Sequence, residues 1–211
     1  LISRQNIAIE AEDPEAHPDW RDVESAVRAT TRLVKLARKA NRRVHVLHIS
    51  SKDEMDILAK HKDLISVEVT LNHLTLSAPD CYERLGAFAQ MNPPVRDLDH
   101  QMGLWAAIQN GIVDVIGSDH APHTIEEKER PYPSSPSGMP GVQTSLPLLL
   151  NHMHEGRLSL ERIVDLTSAG PQRLFGIMGK GRIVVGYDAD FVFVDSKKQR
   201  VISVEWLASK C

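Results

Sequence analysis

Asp119, His120 and His123 make up the segment of this chain whose residue types most directly suggest chemistry. The mostly apolar residues 112–116 come just before them, which is typical of a buried strand. In parallel α/β proteins, functional side chains collect at the carboxyl ends of strands. A carboxylate there can bind a cation and exchange a proton with a substrate. The alternative interpretation is an aspartate that caps a helix, followed by two surface histidines.

Other predicted strands also end in side chains that could bind a metal. Glu10, His48 and His73 each stand at or just after the end of an apolar run. Nitrogen and oxygen ligands without thiolates suit zinc, manganese, cobalt or iron in an open catalytic site. One histidine at a strand end is structural about as often as it is functional, but several strand ends of one sheet face a common cavity.

The elements that must position these residues alternate between strand and helix patterns. Strands are predicted at 7–12, 44–49, 65–70 and 113–118, with helices at 19–40, from 52 after a capping Ser51, and at 99–110. This order predicts an α/β protein with a parallel sheet. An open doubly wound sheet and half of a (β/α)8 barrel both fit. No Gly-x-Gly-x-x-Gly follows a strand, which disfavours a dinucleotide-binding fold.

The last third of the chain has a different pattern. Helices are predicted at 145–154, 160–168 and 171–175, and a β-hairpin is predicted at 181–195 with its turn near Gly186. Before them, the charged run at 126–130 predicts a solvated loop surface. The stretch 131–140, rich in Pro, Ser and Gly, predicts a mobile loop over the cavity that could act as a lid.

Composition narrows the function classes. The chain has 211 residues and a net charge of −3, so it gives no reason to expect nucleic acid or an anionic membrane as a partner. It has no apolar run of about 20 residues and no signal-peptide pattern. Its two cysteines predict a reduced, cytoplasmic compartment. Since the sequence starts without Met and ends abruptly, we expect either an internal piece of a longer enzyme or a chain with further flanking residues.

Four stretches of the chain resemble the amidohydrolase superfamily and, within it, the dihydroorotase family. They are residues 44–50, 90–96, 119–123 and 138–144. The pairing of Asp-His-Ala-Pro-His with Met-Asn-Pro-Pro-Val-Arg is rather specific for dihydroorotases. The resemblance covers almost the whole chain. It implies the carboxyl-terminal half of a TIM-type (β/α)8 barrel, with strands 5–8 of that barrel, over residues 1–178, and part of a small β-sandwich module over 179–211.

The resemblance also implies roles for single residues. His48 and Asp119 match metal ligands, and Asp119 matches the catalytic residue that shuttles a proton. Asn92, His123 and Gly138 match substrate-contacting positions, with Gly138 contributing a backbone group. His120 is expected to be structural. Lys52 and Arg96 are predicted to lie at the surface or to have a structural role. His45 is predicted to lie on the strand face opposite His48, packed against a helix.

Glu10 occupies the position of a metal-binding histidine of the family. A carboxylate can bind zinc, so Glu10 either replaces that histidine or marks an altered site. His73 is a second candidate ligand. The family's His-x-His and its bridging carboxylated lysine or aspartate have no counterpart in the chain, so these residues alone are expected to bind metal poorly and to be inactive.

The activity that the resemblance implies is the reversible cyclisation of N-carbamoyl-L-aspartate to L-dihydroorotate in pyrimidine biosynthesis, with one or two Zn²⁺ ions. Another cyclic amidase, of the allantoinase or hydantoinase type, is the first alternative. The second is a non-catalytic scaffold subunit for aspartate transcarbamoylase. The expected partners are a small-molecule substrate, further copies of the same chain, and aspartate transcarbamoylase.

Overall fold

The computed structural model describes residues 13–209, which form an α/β structure around a three-stranded parallel sheet. The strands are β1 (Val44–Val46), β2 (Ile65–Thr70) and β3 (Val115–Gly117), and β2 lies in the middle. The three strands were all predicted, although β1 and β3 are shorter than expected. The fourth predicted strand, at 7–12, lies outside the described residues.

Helices connect the strands and cover one face of the sheet. The α-helices of residues 13–209 are α1 (His17–Trp20), α2 (Val23–Ala40), α3 (Lys52–Leu58), α4 (Leu71–Thr75), α5 (Asp80–Leu85), α6 (Leu98–Gln109), α7 (Ile125–Lys128), α8 (Val142–His154), α9 (Leu160–Val164) and α10 (Gly170–Phe175). Short 3₁₀ turns lie at Pro14–Ala16, Ala59–His61 and Gly86–Ala89, and a π-helical turn at Asp165–Ala169. Within the described part, no helix is long and apolar enough to span a membrane.

The helix ends follow local sequence signals. Asp22 caps α2 by accepting a hydrogen bond from the Ser25 N–H at 2.8 Å, and α2 ends at Asn41 in the left-handed conformation. Ser51 caps α3 as predicted, with its hydroxyl oxygen 3.3 Å from the Glu54 nitrogen. Side-chain oxygens at these positions satisfy N–H groups that have no partner within the helix. The helix boundaries are therefore encoded mainly in short polar motifs.

The main hydrophobic core lies between the sheet and the helices. Val67 and Val69 of β2 are fully buried in it, and Leu58, Leu104 and Leu166 pack there from the helices. Because side chains alternate along a strand, Ser66, Glu68 and Thr70 lie on the other face of β2. That polar face is the one from which a site can be built.

A second, smaller core supports the segment that follows α5. Met91 and Val95 are fully buried there together with Tyr82 and Cys81. The Tyr82 hydroxyl accepts a hydrogen bond from the Val95 N–H at 3.1 Å. These contacts fix residues 90–96, one of the stretches on which the family resemblance depends.

The predicted β-hairpin at 181–195 is wrong for the described structure, because no strand occurs between Gly117 and residue 209. Its apolar residues are exposed, with Val185 at 102% and Phe193 at 94% of full exposure. Only a turn is retained, in which the Tyr187 N–H donates to the Val184 carbonyl at 3.1 Å. A two-stranded hairpin is marginal unless it packs on a further strand or a core, and the described residues offer it neither.

Candidate functional site

His48 and Asp119 follow the two outer strands of the sheet, and both have a left-handed backbone. Their φ angles are 41° and 44°, and among non-glycine residues of the described chain only Asn41, at a helix end, shares a positive φ. For a residue with a side chain, this conformation costs about 1–2 kcal/mol. Such strain persists where the surroundings enforce it, and it concentrates at functional sites. The two predicted metal ligands thus share an uncommon backbone conformation at equivalent places after the outer strands.

A carboxylate from the middle strand holds the backbone at His48. The His48 N–H donates to Oε1 of Glu68 at 3.3 Å, and the Ile49 N–H donates to the Glu68 carbonyl at 2.9 Å. The same carboxylate leaves no space at Gly117, where an added Cβ would lie 2.6 Å from it. With strands about 4.8 Å apart, β1 and β3 deliver His48 and Asp119 to positions about 10 Å apart across β2.

A cavity of about 400 Å³ opens beside His48, and Asn92 lines it as well. Asp119 is not part of its lining. Arg96 also faces this cavity but is only 4% exposed. Its guanidinium donates to the Pro18 carbonyl at 3.2 Å, and burial lowers the Arg96 pKa. The structural role predicted for Arg96 agrees with these contacts, but a surface position does not.

His123 and Gly138 lie against each other. A Cβ at Gly138 would be 3.0 Å from Cδ2 of His123 and 2.4 Å from the Ala121 carbonyl oxygen, so only glycine fits. The Gly138 N–H donates to the Gln90 carbonyl at 2.9 Å. Any contact between the Gly138 backbone and a ligand therefore has to use its carbonyl rather than its N–H.

His73, the second candidate ligand, lies in α4 rather than in a loop, because β2 runs directly into that helix. Its Nε2–H donates to the Pro93 carbonyl at 3.0 Å, and its Nδ1 lies 2.7 Å from the Thr70 hydroxyl. Burial lowers the His73 pKa to about 4. Because both ring nitrogens are engaged, His73 acts as an anchor for Pro93, and the ligand interpretation is not supported by its contacts.

His120 and His45 have structural contacts, as expected. Nδ1 of His120 accepts from the N–H groups of Gly141 and Val142 at 3.0 and 3.4 Å, at the start of α8. Nδ1 of His45 lies 2.9 Å from the Ser66 hydroxyl, and its ring meets the edge of Phe175 in α10 at 5.3 Å. The contact with Phe175 agrees with the predicted packing of His45 against a helix. The register nevertheless places His45 beside Ser66, on the polar face of the sheet that also carries Glu68.

His17 supports the site, although its sequence context predicts only a loop or helix-start residue. It is fully buried, and its Nε2–H donates to the Met91 carbonyl at 3.0 Å. Its Nδ1 lies 3.4 Å from the Tyr132 hydroxyl, and burial lowers the His17 pKa to about 4. No motif marks this residue, since a histidine before a proline reads as an ordinary helix start.

The charged run at 126–130 also differs from its prediction. Ile125–Lys128 form α7, with Thr124 and Glu127 in a reciprocal capping arrangement, and Lys128 is only 3% exposed. The Lys128 ammonium donates to backbone carbonyls of the following loop. Tyr132 and Ser135 of that loop are buried. The loop expected to be a mobile lid is thus tied to the rest of the structure by hydrogen bonds.

The described residues provide only part of a metal site. His48 and Asp119 supply an imidazole and a carboxylate, which suit zinc. Within residues 13–209, however, no group of three or more His, Cys, Asp or Glu side chains is placed to hold a metal ion. Glu10, the third predicted ligand, lies outside the described residues. The two ligands fit zinc in chemistry, and a complete site needs further ligands.

Comparison with known proteins agrees with this arrangement, since residues 17–209 match the amidohydrolase family. The chain belongs to the amidohydrolase family. This amidohydrolase chain is 40% identical over 199 residues to a dihydroorotase from Halobacterium salinarum, covering 94% of the chain and 46% of that relative. It is 42% identical to a dihydroorotase from Methanosphaera stadtmanae, covering 84% of the chain and 41% of the relative.

Solved structures give the same fold. The L-hydantoinase (dihydropyrimidinase) from Arthrobacter aurescens superposes with a TM-score of 0.83 and 34% identity, covering 89% of this chain and 43% of the hydantoinase. A D-hydantoinase from a Thermus species gives a TM-score of 0.77 at 31% identity, with 84% and 41% coverage. The chain of this amidohydrolase therefore spans somewhat less than half the length of the relatives it matches.

Proposed function

We propose that the protein is a metal-dependent dihydroorotase, which interconverts N-carbamoyl-L-aspartate and L-dihydroorotate in pyrimidine biosynthesis in the cytoplasm. The observation that carries this proposal is the left-handed backbone at both His48 and Asp119, each two residues after the end of a parallel strand. Dihydroorotase relatives over nearly the whole chain support the choice of substrate.

The reaction adds water across a ring amide in the hydrolytic direction. Hydroxyl bonds to the carbonyl carbon, the carbon–nitrogen bond breaks, and the nitrogen takes up a proton. Asp119 accepts a proton from the attacking water on a carboxylate oxygen and passes it to the leaving nitrogen. Zn²⁺, held by His48, Asp119 and, in this proposal, Glu10, would acidify bound water and polarise the carbonyl.

The free carboxylate of the substrate needs hydrogen-bond donors. Asn92 is exposed beside His48 and provides amide N–H groups. His123 lies with Nδ1 3.3 Å from the Glu127 carboxylate, so this nitrogen carries the hydrogen. In this proposal, Nε2 of the same ring contacts the substrate carboxylate. Gly138, packed against His123, shapes this end of the site.

Hydantoinase activity is the second candidate, because the similar solved structures are hydantoinases. Hydantoin and dihydrouracil lack the carboxylate that Asn92 and His123 would bind. Turnover of L-dihydroorotate, dihydrouracil and hydantoin by the intact, zinc-loaded protein decides between the candidates. Preference for L-dihydroorotate supports the proposal, and preference for a ring without a carboxylate replaces it with the second candidate. Lack of metal together with no turnover would leave the scaffold role.

The architecture that goes with this proposal is a barrel completed by parts of the protein beyond the described residues. Residues 1–178 would supply barrel strands 5–8, three of which are β1, β2 and β3. Residues 179–211 would belong to a separate small module. Assembly into a homo-oligomer, and association with aspartate transcarbamoylase, remain predictions that gel filtration of the intact protein, alone and with that enzyme, would test.

A further inference from the structure

Three carbonyls in the segment 90–93 accept hydrogen bonds from buried basic side chains. Lys128 Nζ donates to the Gln90 carbonyl at 3.3 Å, His17 Nε2 to that of Met91 at 3.0 Å, and His73 Nε2 to that of Pro93 at 3.0 Å. The remaining residue, Asn92, is exposed and lines the cavity beside His48. The backbone on both sides of Asn92 is therefore fixed by side chains from three different elements.

Lys128 differs from the two histidines because it joins this segment to another. Its ammonium also donates to the Pro136 carbonyl at 2.9 Å and to the Gly138 carbonyl at 3.1 Å. Backbone carbonyls from two separate loops thus accept hydrogen bonds from one ammonium. The Gly138 N–H donates in turn to the Gln90 carbonyl at 2.9 Å, so the two loops are linked twice.

The same short helix also holds the third predicted substrate residue. Glu127, next to Lys128, has Oε2 3.1 Å from the Thr124 nitrogen and 3.3 Å from Nδ1 of His123. Two neighbouring residues of α7 thus hold two predicted substrate residues: Glu127 contacts His123, and Lys128 contacts the backbone of Gly138. The contact between Gly138 and Cδ2 of His123 closes this arrangement.

Burial of an ammonium is costly even when carbonyls accept its hydrogens. A methionine has nearly the same length and would fill the same space without a charge. A lysine at this position has a purpose that methionine could not serve. Its N–H donors fix the distance between the backbone at Gln90 and the backbone at 136–138, and an apolar side chain would not. Preorganised binding groups need such support from neighbouring residues.

We propose that Lys128 is a positioning residue that fixes Asn92, His123 and Gly138 relative to one another, and thereby sets the affinity for the carboxylate-bearing ring. Lys128 acts through these three residues and does not touch the substrate itself. The proposal rests on the function proposed above, because that function assigns the substrate contacts to these residues.

The test compares Lys128→Met with the wild type and with Lys62→Met in the intact, zinc-loaded protein. Lys62 is a matched control because its ammonium is also partly buried and donates to a backbone carbonyl, that of Ile112, at 2.7 Å. Lys62 pairs with Asp114, which stands just before β3 and therefore at the amino-terminal end of the strands, whereas His48 and Asp119 follow their carboxyl ends. Both variants lose an ammonium–carbonyl contact and should lose stability.

The expected result is a split between KM and kcat. In Lys128→Met, KM for L-dihydroorotate should rise about tenfold or more, as expected for loss of charge-assisted hydrogen bonds. The kcat and the zinc content should stay within about threefold of the wild type, because His48 and Asp119 lie on other elements. Lys62→Met should leave KM within about twofold, since its site is distant.

Hydrogen exchange gives a readout that does not depend on activity. The non-proline amides of residues 132–140, including that of Gly138, should exchange faster in Lys128→Met, whereas amides of β2 should keep the wild-type rate. A proportional rise in both regions would mean general destabilisation and would overturn the positioning role. Unchanged KM and unchanged exchange at 132–140 would overturn it as well.

A second variant covers the case in which Lys128→Met does not fold. Lys128→Gln keeps a neutral donor, but its shorter side chain carries two N–H groups and cannot reach three carbonyls. KM should again rise with kcat retained, and a wild-type KM would overturn the proposal. If the wild type itself does not hydrolyse L-dihydroorotate, the proposed function fails, while the exchange measurement still tests whether Lys128 fixes the loop.

Discussion

Acidification should destabilise this protein through His17, over a pH range set by its burial. His17 is fully buried between Met91 and Tyr132, and burial lowers its pKa from 6.5 to about 4. In the unfolded chain, the imidazole takes up a proton as the pH falls through 6.5. In the folded chain, it does so only near pH 4. Between these two values the unfolded state binds more protons, so the free energy of unfolding falls as the pH falls.

The size of the effect follows from the shift in pKa. One pKa unit corresponds to about 1.4 kcal/mol, so the drop from 6.5 to about 4 corresponds to an upper limit of about 3.5 kcal/mol. The steepest slope from one such histidine is about 1.4 kcal/mol per pH unit. His73, whose pKa is also lowered to about 4, adds a contribution of the same sign. Against a total stability of about 5–15 kcal/mol, these two residues matter.

Urea unfolding of the wild type and of His17→Gln at several pH values between about 7 and 4.5 measures this contribution. Glutamine retains a donor for the Met91 carbonyl but cannot titrate. The slope of unfolding free energy against pH should become smaller in His17→Gln, with His73 and His152, whose pKa values burial also lowers, contributing to the slope that remains. His154→Gln, at an exposed position, should keep the wild-type slope. An unchanged slope in His17→Gln would refute the reasoning.

Three further substitutions test the site. Asp119→Asn keeps the side-chain shape and tolerates a left-handed backbone. The free energy of unfolding should therefore change by less than about 0.5 kcal/mol, while L-dihydroorotate hydrolysis should fall about 100-fold or more. Retained turnover would contradict a role in proton transfer. Glu68→Leu removes the acceptor of the His48 N–H and should weaken zinc binding about tenfold. Glu68→Gln keeps an acceptor oxygen and should retain zinc binding. Equal zinc contents in the two purified variants would contradict the role of Glu68 in holding His48. Gly138→Ala puts a methyl 2.4 Å from the Ala121 carbonyl oxygen and should cost about 1–3 kcal/mol in urea unfolding. Gly156→Ala, with open space around its Cβ, should cost only about 1 kcal/mol, and equal losses would argue against the close contact.

The three strands of the sheet and the helices α2, α3 and α6 were predictable because their signals are local. Apolar runs identified β2 at its observed bounds, Ile65–Thr70, and a serine before a periodic run located the start of α3. The strand ends were harder to predict, because they depend on neighbouring strands. β1 stops at Val46, since the backbone turns into the left-handed region at His48 while Glu68 of the next strand holds its N–H.

The hairpin at 181–195 failed for a related reason. Two apolar runs, at 183–185 and 191–194, indicate side chains that favour burial, but the runs do not supply the surface that covers them. In the described structure, Ile183, Val185 and Phe193 remain exposed. Such a run predicts a strand only on the assumption that a partner is present.

The candidate site shows the same division between what the sequence predicts and what only the structure reveals. Motifs nominated His48, Asn92, Asp119 and His123 because chemistry constrains their residue types. The residues that hold them have no such constraint on type. Lys128 lay in a run of charges that predicted a solvated surface, yet it is 3% exposed.

The distinction between these groups of residues has a physical basis. A ligand or a proton acceptor must be one of a few residue types, so it can be recognised in isolation. A supporting residue needs only a donor at the right place, and lysine and histidine both serve here on neighbouring carbonyls. Since many side chains could satisfy the same carbonyl, the identity of the supporting residue depends on which element the fold brings within reach. In this protein those elements are α1, α4 and α7, and together they fix the backbone on either side of Asn92.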